Sequence, residues 1–163
     1  WQRLRGYQEH GWPEDYDLWL RAHTQGMRFG KPQAILLDWR DQPSRLSRQD
    51  ERYIKKSFYH AKIHYLAEQR VATQFCIWGT GPTALRVHDL LDKHPVQISG
   101  FIDVAEKMIG RQKRNKPVLS AWELEKTDNF ILVAVASRGA RDDIRSHLND
   151  RGFNEGSDYL CVA

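Results

Sequence analysis

From Phe75 onward the apolar residues of this chain come in short unbroken runs separated by polar stretches; before Phe75 they recur at three- and four-residue steps. The runs predict strands over 75–78, 97–104, 117–119, 130–137 and 159–162, and the stretches between them predict helices over 83–93, 121–125 and 141–150. Strands that are nearly all apolar are covered on both faces, which means a parallel sheet with helices packed on either side. Residues 73–163 are therefore expected to form a small doubly wound, Rossmann-like α/β domain. Residues 1–72 read as a mainly helical segment. Residues 1–12 lack a period and read as loop, and Pro13 followed by Glu14, Asp15 and Asp17, with Gly26 beyond, punctuates a helix over 14–23. A short strand is expected over 34–39. Ser47 reads as the N-cap of one long helix over 48–70, with Ile54, Phe58, Ala61 and Tyr65 on its apolar face, about 34 Å long at ~1.5 Å per residue.

The turn between the first strand and helix of the second segment carries the clearest chemistry. Trp78-Gly79-Thr80-Gly81-Pro82-Thr83-Ala84 follows the strand directly. A dinucleotide turn needs glycine first for a sharp bend, glycine second so that backbone can approach a pyrophosphate, and a small residue third for close helix packing. Gly79, Gly81 and Ala84 meet these needs. An acid about 20 residues onward should bond a ribose, and Asp103 closes the next apolar run. Pro82 suits a first helical turn but withholds one N–H from an anion-binding loop. Ser137 and Arg138 follow the strand ending near Ala136, at the sheet end where a ligand of such a fold lies. Arg138 reads equally as a phosphate clamp or as a surface arginine.

Composition changes this picture in three ways. The longest apolar run, 130–136, is far shorter than the ~20 residues of a membrane span. The only cysteines, Cys76 and Cys161, stand in strand-like contexts and read as reduced thiols of a cytoplasmic protein, with a disulfide between neighbouring strands left open. The net charge of +4 lies wholly in the first part: residues 1–70 carry 13 Lys and Arg against 9 Asp and Glu, whereas 71–163 carry 12 of each. Arg52, Lys55, Lys56, His60, Lys62 and His64 give the long helix a basic flank. That flank reads as a solvated face, with peripheral membrane contact left open and nucleic acid not expected. His60 and His64 have the spacing of metal ligands but no third partner, so no metal site is assigned. Residue 1 is Trp, and the chain reads as a piece of a longer protein.

The segment Gly11-Trp12-Pro13-Glu14-Asp15-Tyr16-Asp17-Leu18-Trp19-Leu20-Arg21, followed by Gly26, Leu36-Leu37-Asp38-Trp39-Arg40 and Arg45-Leu46-Ser47-Arg48, resembles the end of the catalytic domain of family 2 glycosyltransferases. The remainder resembles the Rossmann-like domain appended to some bacterial glycosyltransferases, and is similar to the nucleotide-sugar-binding domain of bacterial sugar acetyltransferases. The resemblance implies inverting transfer from a sugar-nucleotide donor to a glycan acceptor in glycan or polysaccharide synthesis. Asp15 then maps onto the general base and Glu14 onto the same acceptor side. Both have a simpler reading as first-turn acids that meet the helix dipole. The family's upstream nucleotide-binding half and its Asp-x-Asp metal motif do not precede Trp1, so a divalent metal is expected only in that missing half. The fragment is expected to be inactive alone and to need that half as its partner. Asp15-Tyr16-Asp17 has the motif's spelling inside a helix and is not counted. The Rossmann-like part is expected to take a sugar nucleotide or a dinucleotide through Gly79, Thr80, Gly81, Ala84, Asp103, Ser137 and Arg138. The alternative is a non-catalytic nucleotide-binding module.

Overall fold

The computed structural model describes residues 1–38, 40, 42–69 and 74–163. It divides into two compact units, Trp1–Tyr65 and Leu66–Ala163. The boundary expected at 72/73, the end of the expected strand at Trp39 and the end of the long helix at Arg70 lie outside the described residues.

The first unit is built around helix α1, Glu14–Thr24, with Glu14, Asp15 and Asp17 in its first turn and Arg21 and His23 in its last. This charge order suits the helix dipole at both ends. Asp17 is fully buried. Its carboxylate accepts from Trp12 Nε1 at 2.8 Å, from Arg21 Nε at 2.7 Å and from Tyr65 Oη at 2.6 Å. Arg21 also donates to the Leu4 carbonyl and, at 2.7 Å, to the Gly6 carbonyl. One buried acid thereby fixes the irregular N-terminal segment through Arg21. Burial alone would raise the Asp17 pKa, but the hydrogen bonds from Tyr65, Trp12 and Arg21, with the Arg21 charge, outweigh it and hold the carboxyl below its usual value.

Two expectations for this unit need correction. Residues 34–38 form no strand, and Ile35, Leu36 and Leu37 are exposed. The long helix is also broken. Arg45, not Ser47, caps a short α2, Leu46–Gln49; a 3-10 turn follows over Glu51–Tyr53, and α3 begins only at Lys55 and runs to Gln69. The cause is Asp50, whose carboxylate accepts from the Arg52 backbone N–H at 2.8 Å and from the Arg52 guanidinium at 2.7 Å. Such a local side-chain bond competes with the helical one, and Asp50 and Ile54 both take extended backbone angles. The basic flank is divided accordingly: Lys55 and Lys56 are exposed, while His60, Lys62 and His64 are half-buried. The His64 ring lies 5.3 Å from Trp12 and 5.1 Å from Tyr65.

The second unit is an α/β fold around a six-stranded sheet. Its strands are β1 (Gln74–Trp78), β2 (Gln97–Asp103), β3 (Gln112–Lys113), β4 (Lys116–Ser120), β5 (Phe130–Val133) and β6 (Tyr159–Cys161). The order across the sheet is β3-β4-β2-β1-β5-β6, all parallel except the β3–β4 hairpin. Helix α4, Pro82–Leu91, joins β1 to β2, and helix α5, Ala140–Asn149, joins β5 to β6. Strand alternation sorts the core. Cys76, Trp78, Ile102, Ile131 and Val133 pack with Ile144 and Leu148 of α5. On the other face the ring of His88 from α4 stacks on Phe101, with centroids 5.6 Å apart, and Phe75 meets its register partner Phe130 edge to face. The helices thus cover opposite faces, which makes the sheet doubly wound and Rossmann-like.

Residues 121–125 are not helical, so the β4–β5 connection is irregular; the strand expected over 117–119 is β4, while β3, which pairs with it in a hairpin, has no counterpart in the expected elements. Both cysteines are free thiols. Strand β5 separates β1, which carries Cys76, from β6, which carries Cys161, so the two are not on neighbouring strands.

Candidate functional site

Because β1 leads through α4 to one side and β5 through α5 to the other, the connections diverge between these adjacent strands. In an open α/β sheet such a divergence leaves a crevice outside the carboxyl ends of the strands. A cavity of about 670 Å³ lies there, lined by the 78–83 turn, Asp103 and Val104, Trp122, residues 134–137 and the first two turns of α5.

The turn is built by backbone constraint. Gly79 is buried with φ +110°, donates its N–H to the Ile102 carbonyl at 2.7 Å, and a Cβ there would stand 3.0 Å from Val135 Cγ2. Only glycine fits without strain. Gly81 differs: its backbone is extended (φ −79°, ψ −177°), it caps α4, and a Cβ added there would meet nothing within 4 Å. It is an opening at the cavity wall, free of any demand from the fold. Pro82 takes the first helical position, so the anion-facing N–H groups of this helix end begin at Thr83. Ala84 is buried below the turn, its Cβ 3.6 Å from where a Gly79 Cβ would be.

Thr80 and Asp103 are joined directly. The Thr80 hydroxyl donates to Asp103 Oδ2 at 2.5 Å, and Asp103 Oδ1 accepts the Ala105 N–H at 3.0 Å. The acid is therefore oriented from both sides, with Oδ2 turned toward the glycine turn. Ser137 also lines the cavity; Arg138 does not, and Ala84 supports the turn from beneath. The cavity thus brings together Gly79, Thr80, Gly81, Asp103 and Ser137 of the residues expected from sequence.

Three lining residues escaped the sequence reading. Asp143 stands in the first turn of α5, His147 one turn further, and Trp122 in the irregular segment after β4. Reading 121–125 as a helix concealed Trp122, although a tryptophan directly before Glu123 and just past a strand end was a usable signal. No Lys or Arg is among the described residues that line the cavity, while Asp103 and Asp143 both do. Its electrostatics favour hydroxyl groups, and leave a phosphate to the backbone N–H groups of the turn.

In the first unit, Glu14 and Asp15 part ways. Glu14 is half-buried and accepts from Tyr53 Oη at 2.9 and 3.0 Å, with Arg52 Nη1 3.8 Å away. Burial, then the hydrogen bond to Glu14, pushes the Tyr53 pKa up to about 12. Asp15 is exposed, and its Oδ1 accepts the Tyr16 N–H at 2.7 Å. Of the pair, Asp15 is the more exposed. Among the described residues no group of three or more His, Cys, Asp and Glu is placed to hold a metal ion, and no helix is long and apolar enough to cross a membrane.

No curated protein and no solved structure matches the chain. A family model does: the one described as C2185-like, N-terminal, matches residues 71–157, which takes in β1 through α5 and the whole lining of the crevice. This match spans more than half of the chain, which therefore belongs to the C2185-like, N-terminal family.

Proposed function

We propose that residues 66–163 form a binding unit for a nucleoside phosphate, a sugar nucleotide above all, and that residues 1–65 are the acceptor-side end of an inverting glycosyltransferase that the unit serves. The observation that carries the first part is the position of the cavity: it sits at the sheet's switch point, between the glycine turn and an acid oriented by Thr80. Asp103 suits a ribose diol, the exposed Gly81 wall suits a phosphate, and the second carboxylate, Asp143, suits further hydroxyls rather than further anions. A sugar nucleotide combines these groups.

The glycosyltransferase part rests on the family 2 resemblance of residues 6–48 together with the division of labour at the start of α1. Glu14 is engaged internally and Asp15 is left as the outward carboxylate, as a base taking a proton from an acceptor hydroxyl requires. In this reading the donor site and its divalent metal belong to a donor-binding half outside residues 1–163, the glycan acceptor is the partner that meets Asp15, and residues 1–163 alone transfer no sugar. The alternative of a non-catalytic nucleotide-binding module makes the same claim for residues 66–163 and differs only over residues 1–65.

The test is isothermal titration of the protein with UDP, a UDP-sugar and NAD, repeated on Gly81→Val. Binding by the wild type that weakens about tenfold or more in the variant, with the fold retained, is expected because a Cβ added there points into open space and the remaining cost is that of a poorer N-cap. Absence of heat with all three ligands removes the proposal for the crevice.

A further inference from the structure

The crevice has one wall that neither its glycine turn nor its acid explains. Trp122 lies in an irregular segment and is 61% exposed, yet its backbone is secured on every side. Its N–H donates to Ser120 Oγ at 3.2 Å, and its carbonyl accepts from Arg151 Nη2 at 3.4 Å. The preceding Ala121 is buried; its N–H donates to the Asp103 carbonyl at 3.0 Å, and its own carbonyl accepts from His147 Nε2 at 2.8 Å. The His147 ring meets the indole of Trp122 edge-on at 5.2 Å and that of Trp78 at 5.3 Å. Arg151 Nη1 lies 3.3 Å from His147 Nδ1, the nitrogen left to accept once Nε2 donates.

A large apolar ring left in water while four bonds fix the backbone of Ala121 and Trp122 is costly for a surface loop and useful for a ligand. Tryptophan offers wide contact area at little conformational cost, and a ring held in place before binding loses no freedom on binding. The Ala121–Asp103 backbone bond also brings Trp122 and the acid assigned to the ribose to the same cavity. In a nucleoside the base is attached to that same sugar.

On the reading of the crevice given above, we infer that Trp122 is a stacking platform for the base of the bound nucleoside phosphate, held ready by His147 and Arg151. The contact is with a π-face, which every base has, so it sets affinity for nucleosides as a class and leaves the choice among bases to other groups.

The experiment titrates UDP and NAD into wild type, Trp122→Ala, Trp122→Phe and Gly81→Val, following heat and tryptophan emission. Loss of one stacked base is expected to weaken any probe that binds by about tenfold in Trp122→Ala, while Trp122→Phe stays within about threefold of wild type. Quenching of emission by the probe in wild type should be reduced in Trp122→Phe to the share left by Trp78, which lines the same cavity. A probe that Gly81→Val weakens but that binds Trp122→Ala as tightly as wild type overturns the platform and leaves the crevice standing. Failure of wild type to bind either probe overturns both.

Discussion

At the scale of single residues, two glycines two positions apart separate fold from ligand. Gly79 has a left-handed backbone, and a methyl group on it would press on Val135. Gly79→Ala is expected to lower stability by about 1–3 kcal/mol, read as a shift in the urea midpoint. Gly81→Ala should lower that midpoint less, by no more than about 1 kcal/mol, because its backbone is extended and its Cβ direction is open, which leaves only the poorer N-cap preference of alanine. Equal losses from the two would mean that the turn is shaped otherwise. Both glycines were visible in sequence as one motif, the first for a bend and the second for close approach; the left-handed φ of Gly79 and its neighbour Val135 were not, since they belong to the fold. The same holds for Asp17. Its spelling suggested a metal motif, while its bonds to Trp12, Arg21 and Tyr65 make it the anchor of the first unit.

At the scale of elements, that anchor has a pH dependence with a definite sign. The Asp17 carboxyl is held below its ordinary value of 3.8 in the folded chain, so the unfolded chain takes up the proton first as pH falls. Its stabilising contribution is complete above 3.8 and is lost as pH drops through the lower folded value. Denaturation midpoints between pH 5 and pH 2 should therefore fall more steeply for wild type than for Asp17→Asn; parallel slopes would remove Asp17 as an acid-sensitive joint. Elements whose signal is local were legible: α1 from its punctuation, and β1, β2, β5 and β6 from unbroken apolar runs. Elements that depend on a partner were not. The apolar residues Ile35 to Leu37 have the composition of a strand but no strand beside them, and they stand exposed. The helix break at Asp50 was written in the sequence as a capping residue and was masked by the apolar spacing around it. Gly100 also escaped notice. It sits just past the β1–β2 register shift, where a Cβ would come within 2.8 Å of the Pro117 carbonyl oxygen, so its need is for close approach of two strands.

At the scale of the whole molecule, the glycosyltransferase proposal makes a demand on residues 1–65 that the crevice does not share. In a longer chain that carries an upstream donor-binding half, Asp15→Asn should reduce sugar transfer at least about a hundredfold and leave donor affinity nearly intact, since a general base contributes ~10²–10⁴ to rate. Turnover assays paired with donor titration separate these effects; unaltered turnover would leave Asp15 as a helix-dipole partner. The fold class of residues 66–163 was fully readable from the sequence and the crevice largely so, because a strand, a glycine turn and an acid are local signals. Trp122, Asp143 and His147 were not, because only the sheet brings the end of β4 and the start of α5 to one opening.

The sheet ends on one side in β3, of two residues, and on the other in β6, of three. A neighbouring molecule seeking to prolong the sheet would find only a few unpaired peptide groups at either border, too few to template a further strand. Brevity at both margins is thus one device that blunts edge-to-edge association of the apolar middle strands.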